Sequence, residues 1–243
     1  MQEYFNIKYE FSKDTVLDSI ETQSSRQGGK CVFVADGNVL VQVHKDDNYR
    51  NIINDSLFSI CDSSWVPLYL KHIYGFKPEQ YSGSDIFKDI TSSRKYRMAF
   101  LGSSREVLDA LRNNLAKIDG RIEEMLFMEL PFAAAEDFDF AGIGAKVNEF
   151  DPDIIWVSLG APKQEIFSHR LAPFLKRGVI IPVGAVFNFR AGLGIRRAPG
   201  WMVRCHLEFI HRIFTEPSKQ LKRVWGILRH TPAIIREEKR KAA

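Results

Sequence analysis

Short hydrophobic runs alternate with amphipathic segments along most of this chain. Six runs have strand length and are rich in β-branched or aromatic residues, which predicts six β-strands. They are Cys31–Ala35, Leu57–Cys61, Met98–Leu101, Glu124–Leu130, Ile154–Leu159 and Val179–Val183. Between them, apolar residues recur at helical spacing, as at Val107, Leu108, Leu111 and Leu115. Alternating strands and helices predict an α/β fold, with a parallel sheet covered by helices on both faces.

The stretch DPDIIWVSLGAPKQE, residues 151–165, is the most informative of these segments. Its strand is apolar on both faces, which favours a central position in a parallel sheet. Pro162 suits the first position of the helix that follows, because no amide hydrogen is required there. Open α/β folds bind ligands at such strand ends, and helix N-terminal amides favour phosphate. An ordinary strand-to-helix turn is the alternative. The residues that would contact a ligand are Gly160, Pro162, Lys163 and Gln164.

Charge is distributed unevenly along the chain. Residues 196–243 hold twelve of the 34 Lys and Arg residues but only four of the 30 Asp and Glu residues. Two helices with apolar stripes and basic flanks are predicted there, Trp201–Thr215 and Ser218–Leu228. Such a tail suits an anionic partner, either a membrane surface, phosphate or nucleic acid, although it also fits a solvated helix face. We therefore divide the chain into a polar N-terminal segment (1–30), an α/β domain (31–195) and a basic helical appendage (196–243).

Cysteine usage and hydropathy indicate the compartment. Three cysteines lack metal-ligand spacing, and Cys31 and Cys61 lie on predicted strands, so buried thiols in a reducing cytosol are expected. No apolar run approaches the length of a membrane span, and the first residues lack the apolar core of a signal peptide. A secreted or membrane-spanning protein is therefore not expected.

Acidic residues provide the candidate chemistry. Asp36 and Asp62 each follow a predicted strand, where a carboxylate can accept a proton from an attacking hydroxyl group. A single aspartate at a strand end is more often a helix cap. Two Asp-x-Asp sequences, at 137–139 and 151–153, match a common metal-binding signature. The first lies in a loop and the second precedes a strand, at the wrong end of the sheet, so we expect no metal site.

Four ordered segments resemble the signatures of the WecG/TagA/CpsF glycosyltransferases: SLGAPKQE (158–165), GAVFNFRAG (184–192), RRAPGWM (196–202) and LEFIHRIFTEP (207–217). The resemblance implies a Rossmann-like fold and an inverting, metal-independent transfer from a UDP-sugar to a lipid-diphosphate-linked sugar acceptor, without a cofactor. It also implies an appendage that meets the anionic membrane, hence a cytoplasmic protein peripheral to the inner face of the cell membrane. Homo-oligomerisation is left open.

Site residues follow from the same resemblance. Asp62 matches the general base of the family, and Asn38 matches the asparagine of a T-x-N pattern at the catalytic site. Gln164 matches a glutamine of the pocket. Gly184 and Asn188 match positions that bind the donor near its nucleotide. The basic positions expected to meet diphosphate or membrane are Arg196, Arg197, Arg212, Lys219 and Arg223.

Two departures from the family pattern affect the expected site. The T-x-N position reads Asp36-Gly37-Asn38, and Ser63-Ser64-Trp65 stands where glycines are usual. A non-catalytic relative that acts as a partner in a polysaccharide assembly complex is the alternative function. A nucleic-acid-binding module is disfavoured, because the tail aromatics lie on helical stripes and the rest of the chain is acidic.

Overall fold

The computed structural model describes residues 2–193 and 217–242, apart from the side chains of residues 217–220 and 222. Within this part, eight strands form one sheet in the order β1-β2-β4-β3-β8-β7-β5-β6. The strands are β1 (Gln2–Tyr4), β2 (Ile7–Tyr9), β3 (Lys30–Ala35), β4 (Phe58–Cys61), β5 (Met98–Gly102), β6 (Leu126–Met128), β7 (Ile154–Ser158) and β8 (Val179–Pro182). From β2 to β6 all neighbouring strands are parallel, and β1 pairs antiparallel with β2. The predicted parallel α/β sheet is confirmed.

Helices connect most of these strands. The α-helices are α1 (Lys13–Ser24), α2 (Gly37–Lys45), α3 (Asp47–Asn54), α4 (Val66–Tyr74), α5 (Gly83–Ser93), α6 (Arg105–Ala116), α7 (Phe140–Phe150), α8 (Lys163–Leu171), α9 (Val186–Ala191) and α10 (Pro217–Ala242). Two short 3₁₀ helices cover Gly120–Glu124 and Ala172–Phe174. None of the helices in the described part combines the length and the hydropathy that crossing a membrane requires.

Two hydrophobic cores lie on opposite faces of the sheet. Successive residues of each central strand alternate between them, so Ile155 and Val157 face one core while Ile154 and Trp156 face the other. The first core is closed by α2, α3, α4, α7, α8 and α10, and the second by α1, α5, α6 and α9. Because both faces are covered, the strands are apolar throughout, which is why they were recognisable as continuous hydrophobic runs.

The N-terminal segment contributes more structure than its polar composition suggested. β1 and β2 form a hairpin that extends the sheet beyond β4, and α1 follows it. Ile7 and Tyr9 are buried, whereas Lys8 between them is exposed. Strands of three residues depend on pairing with β4, which lies about fifty positions away, so local sequence gave little signal for them.

Two other elements differ from the prediction by more than one residue at an end. The strand predicted over Glu124–Leu130 is confined to Leu126–Met128, because the preceding residues form a 3₁₀ helix capped by the Asp119 carboxylate. The helix predicted over Ser218–Leu228 begins at Pro217 and continues to Ala242. Its second half is held by contacts to the N-terminal segment and α4. Glu237 Oε1 accepts a hydrogen bond from Asn6 Nδ2, and Glu238 Oε1 accepts one from the Tyr74 hydroxyl.

Candidate active site

The carboxyl ends of four neighbouring strands meet along one edge of the sheet. Ala35 of β3 pairs with Cys61 of β4, and Val157 of β7 pairs with Pro182 of β8, so the strands end close to one another. The segments that follow them contain the predicted site residues Asp36, Asp62, Gly160 and Gly184. The order β4-β3-β8-β7 therefore places residues from distant parts of the sequence side by side.

A cleft of about 770 Å³ lies at the ends of β5, β6, β7 and β8, and we call it the strand-end cleft. This volume lies within the range of roughly 300–1,000 Å³ that small-molecule sites occupy. Four predicted donor-binding residues line it, namely Gly160, Lys163, Gly184 and Asn188. Pro162 and Gln164 are not part of the lining. Much of the remaining surface comes from residues that the sequence analysis did not assign: Ser103, Ser104, Arg105, Glu129, Leu130, Pro131 and Phe132.

The N-terminus of α6 borders this cleft. The Ser104 hydroxyl caps the helix by accepting a hydrogen bond from the Val107 amide at 3.4 Å. Arg105, the first helical residue, adds a guanidinium whose Nε lies 4.0 Å from the Glu129 carboxylate. Free amides at a helix start, together with a cation, favour an anionic group. This side of the cleft therefore suits a phosphate.

Lys163 supplies a second cation to the cleft. The Lys163 Nζ lies 5.3 Å from the ring centre of Phe132 and 5.2 Å from that of Phe138, both cation–π distances. Phe132 is fully exposed at the cleft, whereas Phe138 is buried. Lys163 is the first residue of α8, so Pro162 precedes the helix instead of occupying its first position as predicted.

The Gln164 side chain stabilises the turn between β7 and α8. Its Oε1 accepts a hydrogen bond from the Gly160 amide at 3.1 Å, and its Nε2 donates to Glu165 Oε1 at 2.8 Å. Gly184, at the end of β8, adopts a positive φ of 55°, and a Cβ atom there would lie 3.2 Å from Gln164 Oε1. Gln164 is buried, so it shapes the cleft floor through its neighbours.

Glu165 forms a buried polar group beneath this turn. Its side chain is completely buried, and its Oε2 atom has no hydrogen-bond partner within the described residues. The Tyr49 hydroxyl lies close to this carboxylate, and burial and the Glu165 charge raise the pKa of that hydroxyl. Burial raises the pKa of Glu165 to about 7, against the opposing effect of the Gln164 hydrogen bond. This carboxyl group therefore titrates near neutral pH.

Asp62 lies at the end of β4 and is held by backbone groups. Its amide donates to the Ala35 carbonyl at 3.1 Å, and its carbonyl accepts from Gln80 Nε2 at 2.7 Å. Its carboxylate Oδ1 accepts a hydrogen bond from the Gly83 amide, at the start of α5, at 3.0 Å. Hydrogen bonds to the backbone and to the carboxylate thus fix the orientation of the predicted base.

Asp36 has two functions in the structure. Its Oδ1 caps α2 by accepting hydrogen bonds from the Asn38 amide at 2.7 Å and the Val39 amide at 3.0 Å. Its Oδ2 forms an ion pair with Arg223 Nη2 of α10. Although burial raises the pKa of Asp36, the Arg223 guanidinium and the two amides lower it below its usual value. Asp36 is therefore a helix cap and an ion-pair partner.

We refer to Asp36, Asn38, Asp62 and Arg223 as the acidic corner; it lies beside the strand-end cleft on the same sheet edge. Of the other basic residues predicted to meet diphosphate, Lys219 lies on α10 and its side chain is not described. Arg196, Arg197 and Arg212 lie outside the described residues.

The Asp-x-Asp sequences have structural roles. Asp151 and Asp153 both pair with Arg177, with shortest nitrogen–oxygen distances of 2.6 Å, at the end of the sheet opposite the cleft. Asp139 caps α7 by accepting a hydrogen bond from the Gly142 amide at 2.9 Å. Within residues 2–193 and 217–242, no group of three His, Cys, Asp or Glu side chains is arranged to hold a metal ion.

The residues that the sequence analysis missed fall into two groups. Ser103, Ser104 and Arg105 follow β5 directly, so the strand-end rule that selected Gly160 could have found them. Phe132 and Glu165 carried no local signal, since a loop phenylalanine and a glutamate in the first turn of a helix are common. Only the tertiary structure places the first at a cleft and buries the second.

The sequence matches a known protein family along almost its whole length. The family is the Glycosyl transferase WecG/TagA/CpsF family, and its model matches residues 3–243. The chain belongs to this family. The match confirms the family that the sequence resemblance predicted and assigns the protein to the glycosyltransferases.

Two curated relatives in this family have the same name, N-acetylglucosaminyldiphosphoundecaprenol N-acetyl-beta-D-mannosaminyltransferase. The protein of Bacillus subtilis (strain 168) is 25% identical over 200 residues, which cover 81% of this chain and 75% of the relative. That of Bacillus spizizenii (strain ATCC 23059 / NRRL B-14472 / W23) is 24% identical over 227 residues, covering 91% and 84%. In this member of the WecG/TagA/CpsF family, the Asp36 carboxylate of the acidic corner forms an ion pair with Arg223.

Proposed function

We propose that this protein is an inverting glycosyltransferase that moves a sugar from a UDP-sugar to a polyprenyl-diphosphate-linked sugar, with Asp62 as the general base. The single observation that carries the proposal is the position of Asp62. Its carboxylate is fixed by the Gly83 amide at the end of β4, on the same sheet edge as a cleft suited to a phosphate. Family membership and the names of the two Bacillus relatives support the lipid-diphosphate-linked sugar as acceptor, and the UDP-sugar donor is part of the proposal.

The proposed reaction is a single displacement at the anomeric carbon of the donor. A hydroxyl oxygen of the acceptor sugar forms the new bond while the bond to the UDP oxygen breaks, and Asp62 accepts the hydroxyl proton. Attack from the face opposite UDP inverts the configuration. General-base assistance of this kind contributes roughly a hundred- to ten-thousand-fold to the rate.

The leaving UDP gains negative charge, and the strand-end cleft offers groups that stabilise it. The starts of α6 and α8 present backbone amides, and Arg105 and Lys163 present cations. Donors that are already in place before charge develops lower the barrier without reorganisation. Asp151 and Asp153 are held by Arg177 at the other end of the sheet, so we propose that the reaction needs no divalent metal.

We also propose that α10 brings the enzyme to the membrane in which its acceptor is embedded, on the cytoplasmic side. Leu221, Trp225 and Leu228 follow one another at helical spacing and are 55%, 68% and 63% exposed. Basic residues lie on the same helix: Arg229, Arg236, Lys239 and Arg240. An exposed apolar stripe with basic neighbours favours binding at an anionic interface.

The decisive experiment measures UDP release from a panel of UDP-sugars, including UDP-N-acetylmannosamine, mixed with a lipid-diphosphate-linked N-acetylglucosamine analogue. We expect release that requires both substrates and one donor sugar that is clearly preferred. Absence of release with every donor, in protein that is folded and binds UDP, would favour the non-catalytic partner instead.

A further inference from the structure

One ion pair connects the sheet edge to the C-terminal helix. The Asp36 carboxylate and the Arg223 guanidinium are 187 positions apart in sequence, and both side chains are partly buried, at 24% and 30% exposure. Asp36 Oδ1 is occupied by the two cap amides of α2, which leaves Oδ2 directed to Arg223. The position of the guanidinium is thus set by a carboxylate that is itself fixed by a helix start.

The packing of α10 against the sheet domain also fixes the position of the Arg223 guanidinium. Ile227, one turn after Arg223, packs over Gly37, where a Cβ atom would lie only 3.0 Å from Ile227 Cδ1. Farther along, Ile234 is buried, and Glu238 accepts the hydrogen bond from Tyr74. Because residues four apart share a helix face, the contact at Gly37 holds Arg223 over the neighbouring Asp36.

The surroundings of Arg223 are strongly acidic. Asp36 first, then Asp62 and Glu165, raise the pKa of the guanidinium. Without a cation, these carboxylates would repel a diphosphate from the acidic corner. An arginine has five N–H donors, so pairing of Nη2 with Asp36 leaves others that can bind phosphate oxygens.

Building on the proposed function, we propose that Asp36 is a positioning residue that holds the Arg223 guanidinium at the acidic corner for binding a substrate diphosphate. Asp36 itself does not contact the reacting atoms. Its carboxylate holds the arginine of α10 against the start of α2, at the edge of the sheet.

The test compares Asp36→Asn with Asp46→Asn in the full chain. Asp46 caps α3 in the same way, accepting from the Asn48 and Tyr49 amides, so the control removes an equivalent capping charge away from the corner. Arg223→Gln and Arg223→Lys complete the set. Binding of farnesyl diphosphate and of UDP is measured by calorimetry, and kcat and KM for the lipid acceptor are measured where transfer occurs.

We expect Asp36→Asn and Arg223→Gln each to weaken diphosphate binding roughly tenfold, which is the loss expected for a charge-assisted contact. The double variant should bind diphosphate no more weakly than either single variant, because both substitutions remove the same contact. Arg223→Lys should recover part of the loss, and Asp46→Asn should bind normally. Weaker farnesyl diphosphate binding alone, with a raised acceptor KM, would assign Arg223 to the acceptor. Weaker UDP binding alone would assign it to the donor.

Two results would overturn the inference. Unchanged binding of both diphosphates by Asp36→Asn would mean that Asp36 is only a helix cap, and tighter binding would mean that it competes with diphosphate for Arg223. The proposed function fails separately. If the wild-type protein binds diphosphate through Asp36 and Arg223 but transfers no sugar, the role inferred for Asp36 stands and the proposed reaction is wrong.

Discussion

The carboxylate of Asp62 accepts a hydrogen bond from the backbone nitrogen of Gly83 at 3.0 Å, which joins the end of β4 to the first turn of α5. Gly83 is buried and tightly enclosed, since a Cβ atom there would lie 3.2 Å from Val34 Cγ1. The donor amide is therefore fixed by packing, and it orients the carboxylate independently of bound substrate.

Replacing Asp62 by Asn tests its assignment as the base. An asparagine Oδ1 can still accept from Gly83, so we expect thermal stability and UDP affinity close to wild type. Loss of proton acceptance should lower kcat by roughly a hundred- to ten-thousand-fold. Steady-state kinetics and UDP calorimetry on the same preparation check this. Retention of most of the activity would place the base elsewhere, although Asp36 is a poor substitute while it is bound to Arg223.

Chelation tests the proposed metal independence. We expect EDTA to leave turnover unchanged, because Asp151 and Asp153 are engaged by Arg177 and Asp139 caps a helix. Turnover is measured after dialysis against EDTA and again after addition of magnesium or manganese. Activity that disappears on dialysis and returns with either ion would contradict this expectation.

Gly184→Ala tests the contact between the ends of β7 and β8. Alanine at a positive φ costs about 1–2 kcal/mol in stability, and here its Cβ would also press on Gln164 Oε1. Gly192→Ala is the matched control, since Gly192 has a similar φ of 71° and a Cβ added there would meet no atom of the described residues within 4 Å. We expect both variants to lose stability but only Gly184→Ala to lose UDP affinity. Equal UDP affinities would show that the turn does not shape the donor site.

Glu165 should make stability depend on pH. Its pKa is raised from 4.5 to about 7 by burial, so the folded protein retains a proton that the unfolded chain releases above pH 4.5. The contribution of Glu165 to the free energy of unfolding is therefore fully present below pH 4.5. It is lost as the pH rises through 7, and the total loss is about 3 kcal/mol.

Glu165→Gln should remove this decline, because an amide does not ionise. Thermal unfolding between pH 5 and 8 measures the effect, with Glu149→Gln as the control at an exposed glutamate. The Glu165 variant should show the flatter profile and the higher melting temperature at pH 8. Parallel profiles for wild type and both variants would mean that Glu165 is not the titrating group.

The exposed stripe of α10 predicts membrane binding that can be separated from folding. Replacing both Leu221 and Trp225 by Ser should weaken binding to anionic vesicles at least severalfold, because apolar area no longer enters the interface. Ile118→Ser, at a 41% exposed residue after α6, is the control and should bind normally. Vesicle sedimentation at two salt concentrations measures both effects.

These substitutions are preferable to deleting α10. The helix buries Ile234 and contacts α2 and α4, so its removal would expose part of the core of the sheet domain. A double variant with normal vesicle binding at both salt concentrations would contradict the interfacial role of the stripe.

The central strands, and the position of several candidate residues at the strand ends, could be predicted from sequence alone because their signals are local. A strand buried on both faces must be apolar along its length, and the turn after it must carry glycine, proline or a capping residue. Asp36, Asp62, Gly160 and Lys163 were found by this rule, and the structure places all four at one sheet edge.

Contacts between distant segments were decided only by the tertiary structure. Asp36 and Arg223 were each candidate site residues in sequence, but no local pattern pairs them, and their ion pair depends on the packing of Ile227 of α10 over Gly37. The burial of Glu165 depends on α8 packing beside α3, and β1 and β2 form strands only because β4 offers them an edge. Such features arise from packing and desolvation between elements far apart in the chain, and no local pattern of residues encodes them.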